Sequence, residues 1–260
     1  MLSALSTVSS TVGFSKITVP DPYLMLYITF EQMYASDKTN WVSGPYYVGN
    51  IATGSVTDLF SVGNTNIVFP DIYTVKYGLQ SMRLGNAMAR KSSYFLPEST
   101  GLSFCVWSRI SSMDTPNTNK AIFSFMDPNT GNLFGLRMRC NTYSSGPYAI
   151  NLITDQLDAS LTTTYASSSI INANEWNHFV WTISPALYGG TATHKIYLNN
   201  NLVYTESGGL KYPANAARTF DLGANKISQY MDTFRLYKKE LNSAEINNIY
   251  TNLDPNGLRQ

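Results

Sequence analysis

Hydrolytic, nucleophilic and metal chemistry each need particular side chains at particular spacings, and this chain offers few. Its six glutamates stand at Glu31, Glu98, Glu175, Glu206, Glu240 and Glu245, and none has an aspartate two residues on. A retaining glycosidase needs two carboxylates about 5 Å apart on one face, and no strand-like stretch carries a compact pair. An inverting pair drawn from separated loops leaves no mark either. The two histidines, His178 and His194, have no serine or cysteine motif for a triad. G-x-S-x-G, P-loop and dinucleotide fingerprints are absent. Cys105 and Cys140 are the only cysteines. They could pair, but two small buried thiols in a reducing compartment is the better reading. Neither has a second Cys or His at zinc spacing. The chain reads as non-enzymatic.

What must position any site is a scaffold of strands. At 260 residues the chain fits one all-β domain with a full core. Charge is sparse at 13% and balanced at +1, which gives no basic field for nucleic acid or anionic membrane. Aromatics reach 13%, led by 18 tyrosines, a composition suited to strands with polar turns. No run approaches the ~18 apolar residues of a membrane span. The first residues lack a basic start and a continuous apolar block, so no secretory signal is read. The 24 asparagines include no N-x-S/T acceptor, where chance would give roughly five. This disfavours a eukaryotic secretory route. The expected location is a virion, or the surface of an assembly made in the cytoplasm. The alternative is an extracellular or cell-surface protein.

Periodicity supplies the elements. Residues 1–20 are Ser/Thr-rich with scattered apolar residues, a flexible leader or an arm that orders against a partner. Tyr23–Glu31 reads as a buried strand, and residues 32–76 as irregular, punctuated by turn pairs. Leu102–Ile110 alternates cleanly. Ala121–Met126 and Leu133–Arg139 flank Asp127-Pro-Asn-Thr-Gly131, a hairpin turn. Asn199–Asn201 forms another turn, since asparagine tolerates the left-handed region. In Arg218–Tyr250 a period of two runs through Tyr237, with Met231, Thr233, Arg235 and Tyr237 on one side. Helical spacing follows, with Asn242 or Ser243 as cap and Glu245 in the first turn. About twelve short strands predict a two-sheet sandwich with one terminal helix.

MDTFRLYKKELNSAEINNIY resembles the closing segment of laminin-G-like domains of the concanavalin A-like jelly-roll superfamily, matching at Asp232, Phe234, Arg235, Leu236, Tyr237, Leu241, Glu245, Ile246 and Tyr250. Tyr23–Glu31, Tyr77–Leu84, Leu102–Ile110, Trp176–Ile183 and His194–Tyr204 resemble further strands of that family. The likeness spans about residues 23–250. It implies an all-β, two-sheet antiparallel jelly-roll sandwich with a short C-terminal helix. The boundaries read as arm or leader 1–20, sandwich 21–254 and tail 255–260.

For function the resemblance implies a structural calcium bridged by Glu31 and Asp232. The plainer reading is a solvated Glu31 and an Asp232 bonded to a neighbouring loop, and the loop after Glu31 departs from the family pattern. His178 matches a position that is usually structural. The superfamily's glucanases carry an E-x-D-x-x-E strand that this chain lacks. Sugar or protein recognition would use aromatic residues in loop-like settings, with Trp41, Tyr46, Tyr47 and Tyr143 as candidates. The expected function is a non-catalytic interaction module in a larger assembly, such as a virus capsid, fibre or spike, with glycans or other protein subunits as partners. The alternative is a calcium-dependent cell-surface lectin or adhesin, and a glycoside hydrolase ranks below both.

Overall fold

The computed structural model describes residues 22–28, 33–35, 46–50, 55–63, 68–71, 76, 81–85, 88–97, 99–113, 119–129, 131, 133–140, 148–156, 163–165, 171, 174–213, 217–223 and 227–251. The leader 1–20 and the tail 255–260 lie outside these residues. In chain order the strands are β1 (Leu24–Ile28), β2 (Met33–Ala35), β3 (Tyr46–Asn50), β4 (Ser55–Gly63), β5 (Val68–Asp71), β6 (Ser81–Gly85), β7 (Met88–Tyr94), β8 (Leu102–Met113) and β9 (Asn119–Met126). Then come β10 (Leu133–Cys140), β11 (Tyr148–Gln156), β12 (Thr163–Tyr165), β13 (Trp176–Ile183), β14 (Thr191–Leu198), β15 (Asn201–Lys211), β16 (Arg218–Leu222), β17 (Ile227–Tyr237) and the helix α1 (Ser243–Thr251).

The strands form two antiparallel sheets. The front sheet runs β15-β14-β13-β8-β17-β6-β5, with β1 also on β17; the back sheet runs β12-β11-β10-β9-β16-β7-β4-β3-β2. β17 is the spine of the front sheet. β8 borders one side of it, while β6 and then β1 share the other. The expected sandwich and its helix are present. Four strands, β2 to β5, occupy the stretch 32–76 that reads as irregular. Glycines and prolines there punctuate short strands without ending strand structure.

The core fills the space between the sheets with aromatic rings. Phe104, Trp181 and Phe234 of the front sheet meet Phe123, Phe125, Phe134 and Phe220 of the back sheet, all buried. Phe125 and Phe220 stack at 4.3 Å, Phe134 and Trp181 at 4.7 Å, and Phe104 and Phe123 at 5.0 Å. Each such pair adds about 0.5–1.5 kcal/mol beyond its area burial.

One residue changes the expected faces of β17. Between Asp232 and Phe234 the register on β8 shifts by one, because Thr233 is an extra residue at φ 42°. Such a bulge restarts the alternation. Met231 therefore shares the core with Phe234 and Leu236, while Tyr237 belongs to a second cluster with Cys105. The simple period of two, which groups Met231 with Arg235 and Tyr237, fails at this residue.

The turns follow the sequence closely. Gly131 (φ 73°) donates its N–H to Asp127 O at 2.8 Å, and Asp127 Oδ1 accepts from Asn129 N at 2.9 Å. Asn199 (φ 48°) and Asn200 (φ 69°) form the two-residue β14–β15 turn with both residues left-handed, the pattern of a type I′ hairpin. Asn242 caps α1: Glu245 N donates to its Oδ1 at 3.0 Å, and Glu245 Oε2 accepts from Asn242 N at 2.9 Å. That is a reciprocal capping box.

Candidate functional site

The polar side chains with chemical potential gather on the outer face of the front sheet, where the strand register sets them in rows. His178 of β13 lies opposite Trp107 of β8, which lies opposite Asp232 of β17. The next row holds Val180, Cys105 and Arg235, with Tyr27 of β1 opposite Arg235. α1 covers these rows. Ile246 packs with Cys105, Val180, Tyr197, Tyr237 and Leu241. Tyr250 stacks on Trp107 at 5.5 Å and lies 5.8 Å from the His178 ring.

Burial dominates the electrostatics of this layer. His178 is fully buried, 4.9 Å from the Trp107 ring, and neither ring nitrogen has a hydrogen-bond partner. Burial, with Arg235 and Lys76 adding positive potential, lowers its pKa to about 3. The ring is neutral at neutral pH. The Cys105 thiol is free and is pushed up to about 12 by burial, with Arg235 opposing. A thiol held protonated is no nucleophile. The Arg235 guanidinium stacks over Tyr27 at 4.7 Å and donates to its hydroxyl at 3.3 Å. The Lys76 ammonium sits 4.2 Å from the centroid of the Trp107 ring. Burial lowers its pKa and the Asp232 carboxylate opposes that.

Asp232 is buried, and its Oδ2 accepts from the Lys76 backbone N at 3.1 Å. That bond links β17 to a residue between β5 and β6. Its expected calcium partner, Glu31, lies outside the described residues. Calcium takes six to eight oxygens. Here one carboxylate sits beside an ammonium, and among the described residues no group of three or more His, Cys, Asp or Glu could hold a metal. The described donor set does not fit calcium by itself. Trp41 and Tyr143 also lie outside the description. Tyr46 and Tyr47 are neighbours on β3 of the back sheet, a different sheet from the one that holds Asp232.

His194 sits on the inner face. Its Nδ1 accepts the Trp181 indole N–H at 3.1 Å, and burial lowers its pKa to about 3, with the Lys211 backbone opposing. The proton of the neutral ring is therefore on Nε2. Sequence reasoning passes over a third feature, because it depends on register. One step beyond the rows that α1 covers, Trp176, Arg109 and Tyr230 lie opposite one another across β13, β8 and β17, all half-buried. The Arg109 guanidinium lies 5.3 Å from the Tyr230 ring centroid, and its Nε donates to Asn174 O at 2.8 Å. A half-buried aromatic row with an arginine in it can hold a planar or polyhydroxyl ligand.

No curated protein sequence matches the chain. Solved structures do match its fold. One concerns botulinum neurotoxin type C, whose cell entry depends on interaction with two ganglioside molecules: 16% identity, TM-score 0.52, covering 89% of this chain and 51% of that one. A second is the botulinum neurotoxin type G receptor binding domain, at 15% identity and TM-score 0.52, covering 88% and 51%. A third is domain 4 of AbnA, an extracellular arabinanase from Geobacillus stearothermophilus, in complex with arabinotriose: 17% identity, TM-score 0.50, covering 88% and 98%. The chain thus spans about half the length of the neurotoxin chains it matches. At these identities the likeness is one of fold. Residues 85–247 match the family model described as the concanavalin A-like lectin/glucanases superfamily, and the chain belongs to that laminin-G-like family.

Proposed function

We propose that the chain is a non-catalytic glycan-binding β-sandwich module carried by a larger assembly. The observation that carries this reading is the family match over residues 85–247. It is supported by structures of the same fold whose descriptions concern receptor binding, gangliosides and arabinotriose. The sparse, balanced charge of the chain suits recognition by hydroxyl-matching hydrogen bonds and ring stacking. The test is a glycan array run with calcium and again with a chelator. Binding to a defined glycan class, unchanged by the chelator, is expected, because Asp232 already faces Lys76. Loss of binding in chelator would favour the calcium-dependent lectin, and no binding at millimolar glycan would defeat the glycan reading.

Assembly through the protein surface is the second reading, and one observation favours it. Tyr23, Phe95 and Leu187 are 46%, 59% and 70% exposed, and all three sit at the end of the sandwich where β1 begins. The Tyr188 hydroxyl donates to Leu96 O at 2.8 Å, which ties the loops carrying Phe95 and Leu187 together. Exposed apolar clusters of this kind mark contact surfaces. Removing residues 1–20 should weaken self-association, read by light scattering. An oligomeric state unchanged by that truncation would remove the arm from the account.

A further inference from the structure

Among the described residues, asparagines concentrate at the end of the sandwich opposite Tyr23, around the half-buried row of Trp176, Arg109 and Tyr230. Two of them are consumed internally. Asn199 Nδ2 donates to Asn177 Oδ1 at 2.9 Å, and Asn199 Oδ1 accepts from His178 N at 2.9 Å. These bonds hold the β14–β15 turn against the start of β13. Three others carry their amides at the surface. Asn174 (φ 66°) is exposed beside Arg109. Asn200 is half-exposed, and its Nδ2 donates to Oδ1 of the exposed Asn247 on α1 at 2.7 Å. Asn247 is one helical turn before Tyr250, the residue that closes over Trp107 and His178.

Turn geometry explains part of this clustering, since asparagine is favoured where φ is positive. It accounts for Asn174, Asn199 and Asn200. It does not account for Asn247, on an exposed helix position where asparagine is a poor helix former. Nor does it account for a tryptophan left half-exposed one row beyond those that α1 covers. We infer that Trp176, Arg109 and Tyr230, with the amides of Asn174, Asn200 and Asn247, form a binding site for an uncharged oligosaccharide. This deepens the glycan-binding reading and rests on it. Each amide offers both a donor and an acceptor, the pairing that vicinal hydroxyls present in reverse. The aromatic faces supply stacking area for the apolar face of a pyranose or furanose ring. The Arg109 guanidinium is engaged by Asn174 O and the Tyr230 ring, and the exposed Glu175 stands next to Asn174, so among the described side chains the ledge has no unopposed positive charge for an acidic sugar.

The test is titration of the full chain with neutral arabino-, xylo-, malto- and galacto-oligosaccharides and with sialylated oligosaccharides, read by calorimetry. The variants are Trp176→Ala, Asn247→Ala and, at the opposite end, Leu187→Ser, each checked for folding by its thermal midpoint. At least tenfold weaker binding of a neutral sugar is expected for Trp176→Ala and about threefold for Asn247→Ala, with Leu187→Ser unchanged. If the wild-type chain binds no sugar of either kind, the glycan reading itself falls and takes this site with it. If it binds but folded Trp176→Ala and Asn247→Ala bind equally well, the site alone is overturned. A preference for the sialylated set would overturn the assignment of an uncharged ligand. Should Trp176→Ala fail to fold, Asn247→Ala and Asn200→Ala together decide.

Discussion

The front sheet has two buried faces of opposite character. Its inner face carries Leu102, Phe104, Phe179, Trp181, Phe234 and Leu236, and packs rings against rings from the back sheet. Its outer face carries His178, Asp232, Arg235 and Cys105 under a single helix. The inner face specifies the sandwich through area and shape. The outer face spends polar and charged groups where an apolar layer would serve stability as well, because a buried ion is costly unless its partners are in place. Fold strength therefore resides on one side and local specificity on the other.

The sharpest way to break that contrast is Trp181→Ala. The side chain is fully buried, stacks on Phe134 and donates to His194, so the loss should be about 3–5 kcal/mol. Urea denaturation measures it. A cost near 1 kcal/mol would mean that the inner face repacks freely and that the contrast is false.

Each face also holds one buried neutral histidine, and the two should answer differently. Both have folded pKa values of about 3, below the usual 6.5. For a depressed histidine the unfolded chain takes up a proton first, so stability is full above pH 6.5 and falls as the pH drops toward 3. At pH 5 each costs about 2 kcal/mol relative to pH 7. His178→Phe should remove about half of this acid sensitivity at no cost at pH 7, since neither ring nitrogen is bonded and the ring only packs, tilted, against Trp107 and Tyr250. His194→Phe should cost about 1–3 kcal/mol at pH 7, because the Trp181 N–H loses its acceptor inside the core. Thermal midpoints of the two variants across pH 4.5–7.5 decide. Equal losses at pH 7 would erase the distinction between the faces.

What the sequence makes legible follows the same division. Strands whose inner residues alternate, such as Leu102–Ile110, are read correctly because burial of one face writes a period of two. So is the turn at Asp127–Gly131, and so nearly are the expected turn Asn199–Asn201, whose last residue opens β15, and the cap, which is Asn242 of the two candidates Asn242 and Ser243, because local backbone chemistry selects those residues. The outer face is less legible. Thr233 inserts one residue into β17 and resets which side chains lie together, and no composition rule marks a bulge in advance. The strands β2, β3 and β5 are three to five residues long and too short to show an alternating apolar face. The row of Trp176, Arg109 and Tyr230 comes from three strands far apart in sequence, so only register assembles it. Asp232 stands out as a buried acid in the closing segment, but its contact with Lys76 is made 156 residues away.

The smallest test concerns the helix that covers the outer face. Asn242→Ala removes the acceptor for Glu245 N while leaving the bond from Asn242 N to Glu245 Oε2 and the Lys239–Glu245 ion pair. Loss of such a cap costs about 1 kcal/mol, a drop of about 2–4 °C in thermal midpoint for a domain of this size. If α1 is a cover laid on a finished sheet, the loss should be local. Hydrogen exchange should speed up for α1 amides and leave β13 and β16 unchanged. If the two faces form one cooperative unit, the same substitution should speed exchange at Trp181 and Phe220 as well. A helix that frays alone would leave the aromatic core as the part that holds the fold, and Trp107 and His178 as a layer that opens when Tyr250 lifts.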